Sequence, residues 1–534
     1  MKKNIKFLMG VALATAVSLS TTSCIEETQP TSGVTQDQMN ESSNNISAML
    51  MAMPARSNVM DARSGNYGDY AFGYAGLMHI RDVQTGDMAI AYSNYDHFQP
   101  WETVDGINEN TARAQWTWNY TFQSIVAANT LIRAIGDVTN ETSTFNKAAL
   151  GEAYAYRAFY YLDLAREYEF LPNDKFQNPD LVGLTVPIVD ENTTEEDAKN
   201  NPRATHEKMA EFIENDLDSA ELYIPNVDLI SSLKSDKTIP HLGVVYGLKA
   251  RLYMWNEDYE NAAKYALLAI QKAGVTPINY SNCLVVSGNS ITGYQPTCFN
   301  KLSEWMWGVQ QTSENRTVTS GIINWTSFMA TDTSFGYASA GVTPMMDKNL
   351  AKRMSDNDWR QFLYDGSDPV SPYASHKFQP NEGNGSESKI GAATAYPLMR
   401  VEEMWFTYIE AIAHSNPAQG KALLEQFMNK YRDLGQSYTC PETTKDGIID
   451  EIVAQKRIEL WGEGLSFFDI KRLDKSVTRG YSGTNFFDDA RLNTNGRPAW
   501  MNWVMVITEA NNNKALVGKN NPDPTGQYQP WAEE

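Results

Sequence analysis

Residues 245–270 read VYGLKARLYMWNEDYENAAKYALLAI, and the spacing of their apolar positions sets the architecture expected of the chain. Val245, Leu248, Leu252 and Trp255 recur at helical spacing, the pattern breaks at Asn256-Glu257-Asp258, and Ala263, Leu267 and Ile270 form a second stripe. Two such stripes across so short a break predict antiparallel helices joined by a tight turn. Ala250, Ala262 and Ala266 offer small residues where the pair would touch.

With Tyr253 and Asp258-Tyr259, this unit resembles a tetratricopeptide-type hairpin. Upstream, Leu150, Tyr154, Ala158, Tyr161, Ala165 and Tyr168 mark one stripe, ended by Pro172; Met209, Ile213, Leu217, Ala220 and Ile224 mark another, with Thr205 as its N-cap and Pro225 closing it. Downstream, Val401, Trp405, Tyr408 and Ile412 form a stripe, Ser415-Asn416-Pro417 a turn, and Leu423, Phe427 and Leu434 the returning stripe. Residues 41–60 and 111–136 supply a further pair, with Trp116, Phe122, Val126, Ile132 and Ile135 for packing. The expected fold is mainly α: hairpin repeats at about 41–60, 111–136, 147–270 and 397–473, packed against a loop-rich part with a few short strands at about 274–395. In that part Trp305 to Gln310 alternates like a strand, and loops so extensive are usually functional.

The 534 residues carry 44 Lys and Arg against 65 Asp and Glu, a formal charge of −21 that repels phosphate backbones and disfavours nucleic-acid binding. The N-terminus is basic at Lys2, Lys3 and Lys6, then apolar or small from Phe7 to Leu19, a run below the roughly 20 residues a bilayer span needs. It reads as a signal peptide over residues 1–23, ending in small residues before Cys24, the expected lipidated N-terminus. Ile25-Glu26-Glu27 resembles the surface-export signal of Bacteroidetes-type lipoproteins, and residues 24–40 read as a lipidated tether. Cys283 and Cys298 lie in one loop-like region, where spacing leaves a disulfide open; Cys440 is isolated.

No enzyme motif is complete in the sequence. His206-Glu207 lacks the second histidine of a zincin helix, Gly462-Glu463-Gly464 lacks the third glycine of a dinucleotide loop, and Asn521 to Ala532 ends without the glutamate of a calcium loop. No cofactor and no metal is expected. A pair of carboxylates arranged for glycoside hydrolysis is not rejected by sequence alone. What stands out is aromatic residues among polar ones: Arg81, Asp87, Tyr92, Tyr95, His97 and Trp101 in one region, Trp325, Phe328, Phe335 and Tyr337 in another. Flat rings beside hydrogen-bonding groups suit sugars, whose C–H faces pack on rings while their hydroxyls need polar partners. Trp101 and Trp325 are expected to face the ligand.

Four further stretches carry a family resemblance. Gly151-Glu152-Ala153 with Arg157-Ala158-Phe159-Tyr160-Tyr161 and Asp163-Leu164, Gly183 to Val189, and Pro397 to Ala411 are similar to segments of the SusD/RagB family of Bacteroidetes outer-membrane lipoproteins. So is Arg457-Ile458-Glu459-Leu460, Gly462-Glu463-Gly464, Phe468-Asp469 and Lys471-Arg472, with Ser466 and Leu473 where the family has Arg and Trp. The resemblance implies one SusD-like domain over 41–534 that binds without catalysis, a ligand surface drawn from the two aromatic regions, and a surface-exposed place on the outer membrane. It also implies a SusC-like TonB-dependent transporter as partner. Glycan is the preferred ligand; peptide capture and a helical glycoside hydrolase are the alternatives. The charged residues of the C-terminal stretch, Lys456, Arg457, Glu459, Glu463, Asp469 and Arg472, read as a structural ion network.

Overall fold

The computed structural model describes residues 43–62, 64, 67–288, 290–367 and 369–533. The expected signal peptide, Cys24 and the expected tether lie outside the described residues. Residues 47–533 form one compact unit. The helices of seven residues or more are α1 (Ser43–Arg56), α2 (Tyr74–Val83), α3 (Ala112–Ile135), α4 (Thr144–Tyr168), α5 (His206–Tyr223), α6 (Leu242–Trp255), α7 (Tyr259–Lys272), α8 (Val401–Ser415), α9 (Pro417–Tyr431), α10 (Lys445–Glu459) and α11 (Ser466–Arg472). The chain is mainly helical, in keeping with the fold class its periodicity predicts.

Local chemistry explains where these helices begin. Thr111, Ser143, Thr205, Asp258, Asn416 and Thr444 each place a side-chain oxygen on a backbone N–H of the first turn, satisfying a donor that would otherwise lack a partner. The turn between α6 and α7 is made by Glu257 in the left-handed region (φ 57°) and Asp258 as cap. Consecutive helices pack as neighbours: α3 on α4, α4 on α5, α6 on α7, α7 on α8, and α8 on both α9 and α10. Gly420 permits the close approach of α9 to α8, since a Cβ there would lie 2.4 Å from the Ala413 methyl.

Several stripes differ in part from expectation, Val126 of α3 being exposed as well. The buried face of α7 is Ala262, Ala263, Ala266 and Ala269, and Leu267 stays exposed, because small side chains let two backbones close up where a leucine would hold them apart. In α8, Trp405, Tyr408 and Ile412 are only partly buried, whereas Glu402, Glu403 and Glu410 are buried. That helix has neighbours on most sides, so ion pairs rather than one apolar face fix its rotation. Leu434 lies beyond α9 and is exposed.

The loop-rich part carries short antiparallel strands. β1 (Met88–Ile90), β5 (Pro344–Met346), β7 (Ala374–Ser375) and β6 (Tyr364–Asp365) are adjacent in that order, with Met88 opposite Met346 and Ile90 opposite Pro344. β2 (Leu284–Ser287) and β3 (Ser290–Tyr294) form a hairpin, and β4 (Trp307–Gln310) pairs with β8 (Ala395–Met399). β4 is buried on both faces up to Val309, so the expected alternation is absent. Cys283 and Cys298 come together as free buried thiols rather than a disulfide; burial and the neighbouring Cys283 push the Cys298 thiol well up. Trp116, Trp305, Trp307, Trp325, Trp359, Trp461 and Trp500 are all fully buried, so most of the tryptophan content is core.

Candidate functional site

Pairing of β1 with β5 draws the chain around residues 91–101 towards the chain around 325–341, and the two aromatic regions meet. Beyond Ile90 the backbone turns outward before the short helix Gln99–Glu102. Ser93 Oγ accepts from the Tyr95 N–H (3.2 Å) and donates to the Ala340 carbonyl (2.8 Å), tying this turn to the 3-10 segment Gly336–Ala340. Asp96 Oδ1 accepts from the Phe98 N–H (2.8 Å). Burial pushes the Asp96 carboxyl up to about 6, with the N–H groups of Phe98 and Gln99 opposing the shift.

So held, the turn presents Tyr92 and Tyr95 to solvent, 60% and 62% exposed. The Tyr92 hydroxyl donates to Asn94 Oδ1 (3.1 Å), and its ring centre lies 5.6 Å from that of Phe487. His97 is partly exposed, its Nε2 3.7 Å from Asp69 Oδ2, the carboxylate that also accepts from the Tyr337 hydroxyl (2.6 Å). Two exposed phenol rings, an amide and an imidazole thus share one turn of seven residues. Phe487 and Asp69 were not anticipated. Phe487 carries the signal that marked residues 92–101, an aromatic among Ser, Gly, Thr and Asn.

The other candidates lie inside. Trp101 is 4% and Trp325 1% exposed, so neither offers a ring face to solvent, and the expectation placed on them is corrected. Trp101 packs edge-on to Tyr70 (5.0 Å between ring centres), and Trp325 edge-on to Phe378 (5.2 Å). Phe335 is buried with Val318, Ala330 and Ala392, while Tyr337 stacks on Phe328 at 4.0 Å. Phe328 in turn meets Phe98 and Phe72, so the two regions join through core rings. Arg81 is fully buried, paired with Asp163 (2.9 Å) and Glu167 (3.1 Å) and receiving no solvent. Asp87 is buried against Arg457, whose Nε lies 2.9 Å from its carboxylate.

The C-terminal charged stretch is the ion network its sequence suggests. Glu459 receives Arg432 (2.6 and 2.9 Å), Arg400 (3.1 Å) and Arg360 (3.2 Å); Glu463 receives Lys377 (2.5 Å) and Arg400 (3.0 Å); Asp469 receives Lys456 (2.8 Å) and Arg472 (2.9 Å). Burial alone would raise the Glu459 carboxyl, yet the arginines around it hold it well below the usual carboxylate range. Gly464, at φ 69°, lets this segment pass α2: its N–H donates to both Asp82 oxygens (3.1 and 3.0 Å), and a Cβ would lie 2.7 Å from Met78 Cα. Among the described residues no group of three or more His, Cys, Asp or Glu is gathered to hold a metal ion, and no helix is long and apolar enough to cross a membrane.

Comparison with known proteins places this geometry. Residues 60–254 match a family model described as starch-binding, associating with the outer membrane, and residues 364–530 match the model of the SusD family. A SusD-like protein of Formosa agariphila is 24% identical over 431 residues, covering 72% of this chain and 78% of its own length. Among solved structures, a SusD-like carbohydrate-binding protein from Bacteroides vulgatus superposes with a TM-score of 0.70 at 20% identity, covering 90% of this chain and 98% of that one. A laminarin-binding SusD-like protein superposes with a TM-score of 0.62 at 17% identity, covering 90% and 99%.

Proposed function

The chain belongs to the SusD/RagB family, and on that premise we propose that it is a surface-exposed, lipid-anchored glycan-binding protein that passes its ligand to a SusC-like TonB-dependent transporter without catalysing a reaction. The observation that carries the binding role is the turn of residues 91–97, which holds Tyr92 and Tyr95 in solvent beside Asn94 and His97. A sugar ring needs an aromatic face for its C–H groups and nearby polar groups for its hydroxyls, and this turn supplies both. Cys24 after an apolar leader supports the anchor, and Glu26-Glu27 supports display at the surface. The hairpins between 147 and 270 offer a broad helical face of the kind that serves a protein partner.

The test is binding of the mature protein to a panel of soluble polysaccharides, laminarin and starch included, beside a pool of peptides. At least one glycan is expected to bind, and the Tyr92→Ala/Tyr95→Ala protein to bind it at least tenfold more weakly. Saturable peptide binding with no glycan response would turn the reading to peptide capture, and release of reducing sugar would turn it to hydrolysis. Crosslinking in intact cells followed by mild-detergent purification is expected to recover a complex with a large β-barrel transporter; recovery of the free chain alone would remove the partner from the proposal.

A further inference from the structure

On the helical side, a cavity of about 50 Å³ opens between the ends of α4 and α6 and the facing parts of α8, α10 and α11. A water needs about 10–15 Å³, so there is room for about three to five. The lining carries an excess of basic side chains, in a chain whose formal charge is −21. Some of these are already matched. Arg251 makes a two-pronged pair with Glu403 (2.6 and 2.7 Å), Lys456 meets Asp469 (2.8 Å), and Glu169 is taken up by His206 (2.8 Å) and the Trp255 indole (2.8 Å).

Three cations keep unused N–H groups. Lys471 is 3% exposed, has no carboxylate within ion-pairing distance among the described residues, and donates to the Glu167 carbonyl (2.9 Å). Arg166 gives Nη2 to Asp163 (2.6 Å) and Nε to the Leu162 carbonyl (3.1 Å) and lies 3.6 Å over the Phe468 ring, Nη1 making no hydrogen bond among the described residues, and Asp163 already serves Arg81. Arg472 spends Nη2 on Glu410 and Asp469, while its buried Nη1 has no hydrogen-bond partner. Buried N–H groups and buried positive charge are both costly when unmatched. Burial pushes the Lys471 ammonium well below its usual range, with Glu169 opposing, and lowers Arg166 as well.

From this arrangement we infer that the cavity is a binding site for a small oxyanion of the sulfate or phosphate class, held by Lys471, Arg166 and Arg472. An oxyanion of that size presents several acceptors at once, and charge-assisted bonds from guanidinium and ammonium are the strong kind. At about 50 Å³ the space matches a free oxyanion better than a whole sugar ring. The site is independent of the 91–97 turn and of the glycan reading.

The experiment is thermal unfolding of the whole protein titrated with sulfate and phosphate against chloride at matched ionic strength, together with crystals soaked in selenate. Sulfate stabilises many proteins by exclusion from their surface, so the informative signal is a saturable rise in melting temperature that Lys471→Met and Arg166→Gln remove, each weakening the apparent affinity about tenfold to a hundredfold. An anomalous selenium peak within hydrogen-bonding distance of the three side chains is expected. A rise that never saturates and is equal in the variants would overturn the site, as would soaked crystals with only water in the cavity, a result that needs no variant to fold. Glucose 6-sulfate saturating the protein at equal or lower concentration than sulfate would overturn the assignment to a free ion.

Discussion

Replacing Trp325 by Ala and replacing Tyr92 and Tyr95 by Ala should separate stability from binding. Trp325 is 1% exposed, with Phe378 edge-on at 5.2 Å and Tyr396 tilted at 5.6 Å. A buried tryptophan covers about 150–250 Å², which at about 25 cal/mol per Å² amounts to roughly 4–6 kcal/mol, an upper value close to the 3–5 kcal/mol typical of truncating an aromatic core residue. Trp325→Ala should therefore cost about 3–5 kcal/mol of unfolding free energy. Its indole Nε1 has no hydrogen-bond partner, so Trp325→Phe removes an unsatisfied donor along with some area and should cost much less. Tyr92 and Tyr95, mostly in solvent, should each change stability by no more than about 0.5 kcal/mol while weakening glycan binding. Urea unfolding followed by circular dichroism gives the first quantity, and affinity electrophoresis in a gel cast with the bound glycan gives the second. Trp325→Ala staying within about 1 kcal/mol of the parent while losing glycan affinity would refute the assignment of that ring to the core.

Asp96→Asn should stabilise the chain at pH 7.5 by up to about 3 kcal/mol, since the Asp96 carboxyl moves from 3.8 to about 6 on folding and each unit is worth about 1.4 kcal/mol. A raised acid contributes fully below its unfolded value and loses that contribution as pH rises through about 6; the variant's advantage should accordingly shrink between pH 7.5 and pH 5, and a variant less stable at pH 7.5 would contradict this. Glu459→Gln leaves three buried arginines short of one charge and should cost about 3–5 kcal/mol, read as a shifted urea midpoint; an unchanged midpoint would mean the neighbouring carboxylates suffice. Cys24→Ala should move the protein from the membrane to the soluble fraction after cell lysis, and Glu26→Ala/Glu27→Ala should leave it on the membrane but shielded from external protease; membrane retention of Cys24→Ala would exclude the acyl anchor.

The helical frame was legible because its signals are local. Thr205 and Asp258 announce themselves as caps through their own side chains, and the stripe of Val245, Leu248, Leu252 and Trp255 is buried, together with most of the rest of α6. α2 was not legible: all ten of its residues are buried, so it has no polar face to set its period, and Arg81 within it read as a ligand contact. The true partner of Arg81, Asp163, lies 82 positions along the chain, and that of the neighbouring Asp82, the Gly464 N–H, lies 382. The same ambiguity attends a tryptophan among polar residues. Nothing near Trp101 or Trp325 says whether the ring turns inwards, whereas Tyr92 and Tyr95 stay out because Ser93 and Asp96 fix the turn between them.

The hub at Glu459 has a bearing on how the chain is assembled. Arg360, Arg400 and Arg432 all precede Glu459 in sequence, and Arg432 also reaches back to the Ile278 carbonyl (2.9 Å). During synthesis the three guanidiniums therefore emerge before this shared carboxylate, with only Asp358 beside Arg360 and Glu402 beside Arg400 and Arg432 to meet them until α10 arrives. Burial of the middle of the chain waits on its last quarter. Stacked helical hairpins can ordinarily form and fray one unit at a time; here a late-arriving acid acts as a checkpoint, and a chain cut short before residue 459 would carry three arginines with two carboxylates, Asp358 and Glu402, in place of three.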